Sequence, residues 1–285
     1  MGDKAAAFNP EVFTKTAQEK SNARLKMWLE ICAHCGLCAD TCHFYLANER
    51  DPKMMPAYKA KKVLETIKKK NKFDEDRLDE FYETIYGECT MCRRCTMFCP
   101  FGIDVASIIS MARSLSASQG KVPKELLKAV EGHLESGNQM SITEEEWVDT
   151  LEWMEEELQE ELPGATIPID KKGAEFLYVV NAIEPKFYPM DISQAAMFFY
   201  LAGADWNMSR KGLDVTNLAM FIGDIAAATK IAKMVRDAAE ELEVKRVVVT
   251  ECGHALRSLQ FESPIWLGRD HQFEVVHSVS LFAEY

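Results

Sequence analysis

With 285 residues and a formal net charge of −12, the chain is long enough for two folded domains, and its acidic balance disfavours general nucleic-acid binding. No basic start followed by an apolar stretch opens the sequence, so we expect no signal peptide. The longest uncharged run, 192–204, is shorter than the roughly 20 residues that a membrane-spanning helix needs. We therefore expect a chain that is soluble by itself.

The first 120 residues are predicted to form one all-helical domain. A ragged apolar stripe predicts a helix over 1–30, and Pro56 opens a lysine-rich helix that reaches 71. A further helix is predicted over 74–86, before a helix that Asp104 is placed to cap. The lysines of 53–72 could meet anionic head groups or an acidic partner, but a solvated helix face is the favoured interpretation.

The segment that follows is strongly acidic. Between 144 and 161, ten carboxylates surround one narrow apolar stripe, which predicts an amphipathic helix that Thr143 starts in the pattern T-x-x-E. The stripe could dock a basic partner or pack within the chain. Because a turn-rich stretch ends this helix, we expect 121–170 to be an acidic helical linker.

From 171 onward, strands and helices alternate. Valine-rich runs at 175–180 and 246–252 and a strand that begins at 273 are separated by helical segments at 193–204 and 224–243. Uninterrupted apolar strands between helices are typical of a parallel sheet that is covered on both faces. We expect an α/β domain over 171–285.

Two cysteine quartets dominate the first domain, and both have the spacing C-x2-C-x2-C-x3-C. In the ferredoxin pattern, the first three thiolates of such a run bind one 4Fe-4S cluster and the fourth binds the other cluster. The quartets are Cys32, Cys35, Cys38 and Cys42, and Cys89, Cys92, Cys95 and Cys99. We predict cluster one at Cys32, Cys35, Cys38 and Cys99, and cluster two at Cys89, Cys92, Cys95 and Cys42.

Other uses of these cysteines fit the spacing poorly. Structural zinc sites usually show two C-x2-C pairs far apart, or mixed Cys and His ligands. Clustered C-x-x-C spacing without a signal peptide indicates metal binding rather than disulfides, and the absence of C-x-x-C-H excludes covalently bound c-type haem. The two runs are offset by 57 residues (89 − 32), with two predicted helices between them. This favours the all-helical ferredoxin domain of quinone-linked reductases.

Two arginines and a histidine lie inside the quartets. Positive charge on Arg93 and Arg94 would raise the potential of a nearby cluster. Alternatively, both side chains pair with a carboxylate or point into solvent, and the sequence leaves the two interpretations open. We expect His34 to lie near the first cluster or to be exposed, since four thiols already complete the ligand set.

The ninth cysteine, Cys252, stands where a strand meets a turn. Ligands gather at the carboxyl ends of strands in open α/β sheets, and Gly253 would allow a bulky group to approach the backbone. His254 follows, and His277 ends the next strand in the same way. We take Cys252, His254 and His277 as candidate catalytic residues and Cys252 as a candidate metal ligand. The pattern alone favours an inert buried thiol.

Together, the segments ICAHCGLCADTCHFY, DPKMMP, CTMCRRCTMFCPFGID and ECGHA resemble the heterodisulfide reductase D-like iron–sulfur proteins, which include subunits of sulfate-reducer membrane redox complexes. The resemblance implies two ferredoxin-type clusters and a third, catalytic iron–sulfur cluster in an α/β region of the CCG type, with Cys252 as one ligand. It implies a peripheral position on the cytoplasmic face of the membrane, through a cytochrome b-type subunit and in some complexes a multihaem cytochrome c. Electrons would pass between that membrane subunit and a thiol–disulfide carrier protein or a heterodisulfide during anaerobic respiration.

The second half departs from the pattern of these proteins. LAMFIGD lacks the cysteines of C-C-G, and CGHA has alanine where C-P-H-C has its second cysteine. One cysteine cannot hold a cubane, so either the remaining ligands and the end of this domain lie beyond Tyr285, or the protein has lost the third site. Two functions remain: a heterodisulfide reductase-like oxidoreductase, or a non-catalytic electron-transfer subunit with two clusters. No G-x-G-x-x-G occurs, so any flavin would belong to a partner.

Overall fold

The computed structural model describes residues 8–20, 22–68, 75–250 and 252–285. The chain forms two compact units. The first contains the residues up to Lys124 together with Phe221–Asp224, and the second contains Glu125–Met220 and Ile225–Tyr285. No helix in the described ranges is both long enough and apolar enough to cross a membrane.

The first unit is helical, as predicted. Its helices are α1 (Pro10–Lys20), α2 (Ala23–Ile31), α3 (Leu37–Asp40), α4 (His43–Ala47), α5 (Pro56–Lys68), α6 (Glu75–Tyr82), α7 (Arg94–Met97) and α8 (Val105–Ala117). The single helix predicted over 1–30 is divided in two. Asn22 starts α2 by accepting a hydrogen bond from the Leu25 amide at 2.9 Å, and this local competition ends the longer helix.

Helix α8 is the most completely buried helix of the first unit. Ile108, Ile109 and Leu115 are shielded from solvent, and the helix contacts α1, α5, α6 and α7. Asp104 caps it as predicted, accepting a hydrogen bond from the Ser107 amide at 3.1 Å. The second cysteine run leads directly into α8 and is therefore attached to a rigid core.

The second unit contains a four-stranded parallel sheet, which confirms the predicted strand arrangement. Its strands are β1 (Phe176–Val179), β2 (Trp206–Asn207), β3 (Arg246–Val249) and β4 (Glu274–His277), in the order β2-β1-β3-β4. The helices that follow α8 are α9 (Lys124–Ser136), α10 (Glu144–Glu161), α11 (Ile183–Phe187), α12 (Met190–Ala202), α13 (Leu218–Ile222), α14 (Ile225–Glu241), α15 (Gly253–Arg257), α16 (Ser263–Leu267) and α17 (Ser278–Phe282). The last two residues of α13 belong to the first unit. Strand β2 was not predicted, because a strand of two residues is too short to show an alternating or continuous apolar pattern.

Burial on both faces of the sheet explains its continuous apolar strands. Phe176 and Val248 belong to a core on one face, whereas Leu177 and Val247 belong to a core on the other. Alternate residues of each central strand therefore enter opposite cores, and both sets must be apolar.

Helix α10 belongs to the second unit, although the sequence predicted a linker over 121–170. Its stripe of Trp147, Leu151, Met154 and Leu158 is fully buried in the core that covers β1. Trp147 also donates its indole Nε1–H to the Ser209 carbonyl at 2.9 Å. The stripe is therefore used for packing within the chain, which decides between the two interpretations that the sequence left open.

A buried histidine makes the second unit sensitive to acid. His133 on α9 is 2% exposed, and its Nδ1 lies 3.8 Å from the Asp214 carboxylate. Burial lowers the pKa of His133, and the charge of Asp214 opposes that shift only in part. The unfolded chain, with an ordinary histidine pKa of about 6.5, then binds more protons than the folded chain, so stability falls as the pH drops below that value.

We expect the melting temperature of the protein to fall between pH 7 and pH 5, and His133→Gln to weaken this dependence. Thermal unfolding at several pH values provides the measurement. An unchanged pH dependence in the variant would show that His133 titrates equally in both states.

Candidate iron–sulfur centres

The two cysteine runs fold into loops with the same backbone conformation. Two residues of each loop adopt a left-handed φ, His34 and Gly36 in the first loop and Met91 and Arg93 in the second. Short helices follow at equivalent positions, α3 in the first loop and α7 in the second. The offset of 57 residues seen in the sequence is therefore also a repeat of backbone geometry.

Thiols from both runs line one cavity of about 340 Å³. The first run contributes Cys32, Cys35 and Cys38, and the second contributes Cys99 and Cys95. This cavity gathers all four cysteines that the sequence predicts for cluster one.

A second, narrower cavity of about 30 Å³ shows the converse arrangement. Its thiols are Cys89, Cys92 and Cys95 from the second run and Cys42 from the first. These are the four cysteines that the sequence predicts for cluster two. Cys95 lines both cavities, so the two sites are direct neighbours.

The donor set suits a cluster of several irons better than a single ion. All nine cysteines are free thiols. Among the described residues, no three side chains of His, Cys, Asp or Glu are grouped so that they could hold one metal ion. The quartets instead surround hollows, as ligands of a larger inorganic cluster would.

Burial and the closeness of the thiols to one another raise the pKa of three of them. Burial, reinforced by the neighbouring cysteines, raises the pKa of Cys95 to about 12. Burial also raises the pKa of Cys38 and Cys89. A coordinated thiol is deprotonated by its metal, so these side chains would release protons when a cluster binds.

Backbone amides point toward two of the sulfurs. The Met91 amide donates to Cys89 Sγ at 3.4 Å, and the Ile103 amide donates to Cys99 Sγ at 3.4 Å. Such hydrogen bonds stabilise negative charge on sulfur and are among the features that tune iron–sulfur potentials.

Both arginines of the second run line the second cavity, where Arg93 is ion-paired and Arg94 is exposed. Arg93 Nη2 lies 3.0 Å from the Asp104 carboxylate, which also accepts hydrogen bonds from Thr96 and Ser107. Arg94 is exposed to solvent. The structure thus favours the alternative in which these residues pair with a carboxylate or point into solvent.

Sequence reasoning missed two cations beside the second cavity. The prediction of a solvated face over 53–72 is wrong for Lys59, which is buried on α5, and Arg113 is buried on α8. One signal was available for Lys59: it lies four residues before the buried Val63 and so on the same helix face. Arg113 interrupts an otherwise uncharged helix, which is a comparable signal.

The three candidate residues of the second half lie near the carboxyl ends of neighbouring strands. Cys252 is partly buried and precedes α15, just after β3, with His254 in the first turn of that helix. His277 ends β4, and its Nδ1 accepts a hydrogen bond from the Val279 amide at 3.2 Å. In the described part of the chain these residues do not form a metal-binding group.

Comparison with known proteins defines the class of the first unit. Residues 28–103, which include both cysteine runs, match the 4Fe-4S dicluster domain. The matched range begins before Cys32 and ends after Cys99. The chain thus contains a ferredoxin-type iron–sulfur domain.

Two archaeal relatives extend the similarity to most of the chain. The Hdr-like menaquinol oxidoreductase iron–sulfur subunit of Archaeoglobus profundus is 30% identical over 272 residues, covering 85% of this chain and 47% of that protein. The Hdr-like menaquinol oxidoreductase iron–sulfur subunit 2 of Archaeoglobus fulgidus is 28% identical over 278 residues, covering 87% and 48%. The chain therefore spans about half the length of these relatives. The predicted resemblance to Hdr-like iron–sulfur proteins is confirmed, and no solved structure matches significantly.

Proposed function

We propose that this chain passes electrons through two 4Fe-4S clusters as the iron–sulfur subunit of a membrane-associated redox complex. One observation carries the proposal: each cavity is lined by three thiols of one run and the fourth thiol of the other. Cys32, Cys35, Cys38 and Cys99 would hold cluster one, and Cys89, Cys92, Cys95 and Cys42 would hold cluster two. When bound, each cluster supplies one-electron storage.

The protein contributes binding, proximity and shielding. The repeated loops direct three thiols of each run at one hollow, and the fourth residue of each run crosses to the other hollow. Cys95 lines both hollows, so the two clusters would lie side by side. Helix α8 closes them from the interior, because Ile108 lines the first cavity and Ile109 lines the second.

We assign the membrane side of the reaction from the relatives. Both are named menaquinol oxidoreductase subunits, which supports exchange of electrons with a membrane redox partner. We propose that this partner is a cytochrome b-type subunit, joined in some complexes by a multihaem cytochrome c. The chain would lie on the cytoplasmic face and be held there by those partners.

The second unit would provide the reaction with a thiol–disulfide partner. We propose that it is a CCG-type α/β domain and that Cys252 binds a third iron–sulfur cluster, whose other ligands come from outside residues 1–285. His254 and His277 would then adjoin the site. A thiol–disulfide carrier protein or a heterodisulfide would be the substrate.

A second candidate function is electron transfer without catalysis. It is favoured by the sequence, in which Cys252 is the single cysteine between Cys99 and Tyr285, because one thiol cannot hold a cubane. The two functions share the first unit and differ only in what the second unit does.

The experiment that separates them uses the native complex, purified anaerobically from membranes. A reduced menaquinone analogue should reduce the clusters, which is followed by the loss of visible absorbance and the appearance of reduced-state EPR signals. With Cys252→Ser, this reduction should persist while turnover of a disulfide substrate stops. Full disulfide turnover in the variant would favour the non-catalytic role of this unit, and clusters that never exchange electrons with quinol would contradict the proposed function.

A further inference from the structure

Two cations are buried beside the second cavity. Lys59 is 2% exposed and Arg113 is 3% exposed. Lys59 lines the cavity, donates a hydrogen bond to the Glu88 carbonyl, and has its ammonium nitrogen 5.0 Å from the centre of the Phe44 ring. Arg113 donates its Nη2–H to the carbonyl of Cys89 at 2.5 Å.

Neither cation forms an ion pair with a carboxylate in the described part of the chain. The remaining hydrogen bonds of Arg113 also go to backbone carbonyls, those of Ile85 at 2.9 Å and Phe221 at 2.8 Å. A buried charge is unfavourable unless an opposite charge lies near it. Both cations lie next to Cys89: Arg113 donates to its carbonyl oxygen, and Lys59 lines the same cavity as its thiol.

Among the described residues, no buried lysine or arginine lines the first cavity. The lysine that lines it, Lys61, has a side chain that is 59% exposed, and its Nζ lies 3.9 Å from the Glu65 carboxylate. Glu30 lines this cavity as well. Around the second cavity, Arg93 is paired with Asp104, Arg94 is exposed to solvent, and Glu88 is the carboxylate residue of the lining. The uncompensated buried charge is therefore positive and lies on the side of cluster two.

We propose that Lys59 and Arg113 balance the negative charge of the thiolate-bound cluster in the second cavity and give it a higher reduction potential than the cluster in the first cavity. Reduction adds one negative charge to a cluster, and a nearby buried cation stabilises that charge more strongly than an exposed, paired one. At equilibrium, an electron that enters the first unit would then reside mainly on cluster two. This inference depends on the proposed function, because it requires that both clusters are bound.

The order of the two potentials is the first test. EPR-monitored redox titration of the anaerobically purified full-length protein gives both potentials. Titration of Cys99→Ala, which should retain only cluster two, and of Cys42→Ala, which should retain only cluster one, assigns them. The proposal requires the higher potential in Cys99→Ala. Equal potentials or the reverse order would overturn it, whatever any lysine variant does.

The second test changes the charge itself. Lys59→Met should lower the reduction potential of cluster two by about 59 mV. For a one-electron couple, this shift makes the ratio of reduced to oxidised cluster about tenfold smaller at a fixed solution potential. Lys59→Arg keeps the charge and should keep the potential. Lys61→Met removes an exposed lysine from the first cavity and should leave both potentials unchanged.

The outcomes separate this inference from the proposed function. An unshifted potential in Lys59→Met with both clusters present overturns the inference alone. Loss of cluster two in Lys59→Met but not in Lys59→Arg supports the charge-balancing role directly. If the unaltered protein shows no cubane signals, the proposed function itself fails.

Discussion

Replacing Cys99 with alanine should remove the cluster of the first cysteine run and spare that of the second. The reason is the crossed ligation indicated by the cavities, where Cys99 lies with Cys32, Cys35 and Cys38. Iron should fall by about four atoms per chain, as expected when one cubane is lost. Metal analysis and reduced-state EPR of anaerobically purified protein provide the measurement.

Matched substitutions identify which cluster is lost. Cys35→Ala should remove the same EPR signal as Cys99→Ala, whereas Cys92→Ala should remove the same signal as Cys42→Ala. Cys252→Ala should leave both signals intact. If Cys99→Ala and Cys92→Ala lose the same signal, each run binds its own cluster and the crossed assignment is wrong.

Gly223→Ala should destabilise the first unit severely. Gly223 has a φ of +84°, and a Cβ there would lie 2.4 Å from both the Arg113 carbonyl carbon and the Ser114 nitrogen on α8. Ser114 also donates its hydroxyl to the Gly223 carbonyl at 2.8 Å. Backbone atoms of a buried helix cannot move aside easily. The clash and the left-handed φ together should lower the free energy of unfolding by about 3 kcal/mol or prevent folding.

Gly137→Ala is the control for this substitution. Gly137 has nearly the same φ, +83°, but no atom lies within 4 Å of the position of a Cβ. This substitution should lower the free energy of unfolding only through the strained backbone conformation, by about 1–2 kcal/mol. Chemical unfolding monitored by circular dichroism compares the two variants. Equal stability of the two would contradict the close approach of Gly223 to α8.

The eight quartet cysteines were predictable because their arrangement depends on local spacing. Each run forms one loop, and the ferredoxin pattern relates loop spacing to ligand sets without knowledge of the remaining fold. The parallel sheet was predictable for a similar reason, since strands such as β3 are short and continuously apolar. The ligand assignment itself stays a prediction until a cluster is observed.

The surroundings of the clusters were not predictable, because they depend on contacts between distant segments. Lys59 looked like one of several solvated lysines, and only the packing of α5 against α8 determines that it is buried. The segment Phe221–Asp224 belongs to the first unit although it follows most of the second in sequence. Arg93 has Asp104 as its partner, eleven residues away, and spacing alone could not decide between that ion pair and a free charge.

The most direct test of two-cluster electron transfer is the iron and acid-labile sulfide content of the anaerobically purified full-length protein, measured with EPR of its oxidised and reduced forms. Two cubanes in the first unit predict at least about eight irons and eight sulfides per chain, with signals that appear on reduction. About four more irons and a signal in the oxidised state would add the third cluster proposed at Cys252. Zinc in place of iron, or no more than about four irons, would contradict the presence of two cubanes.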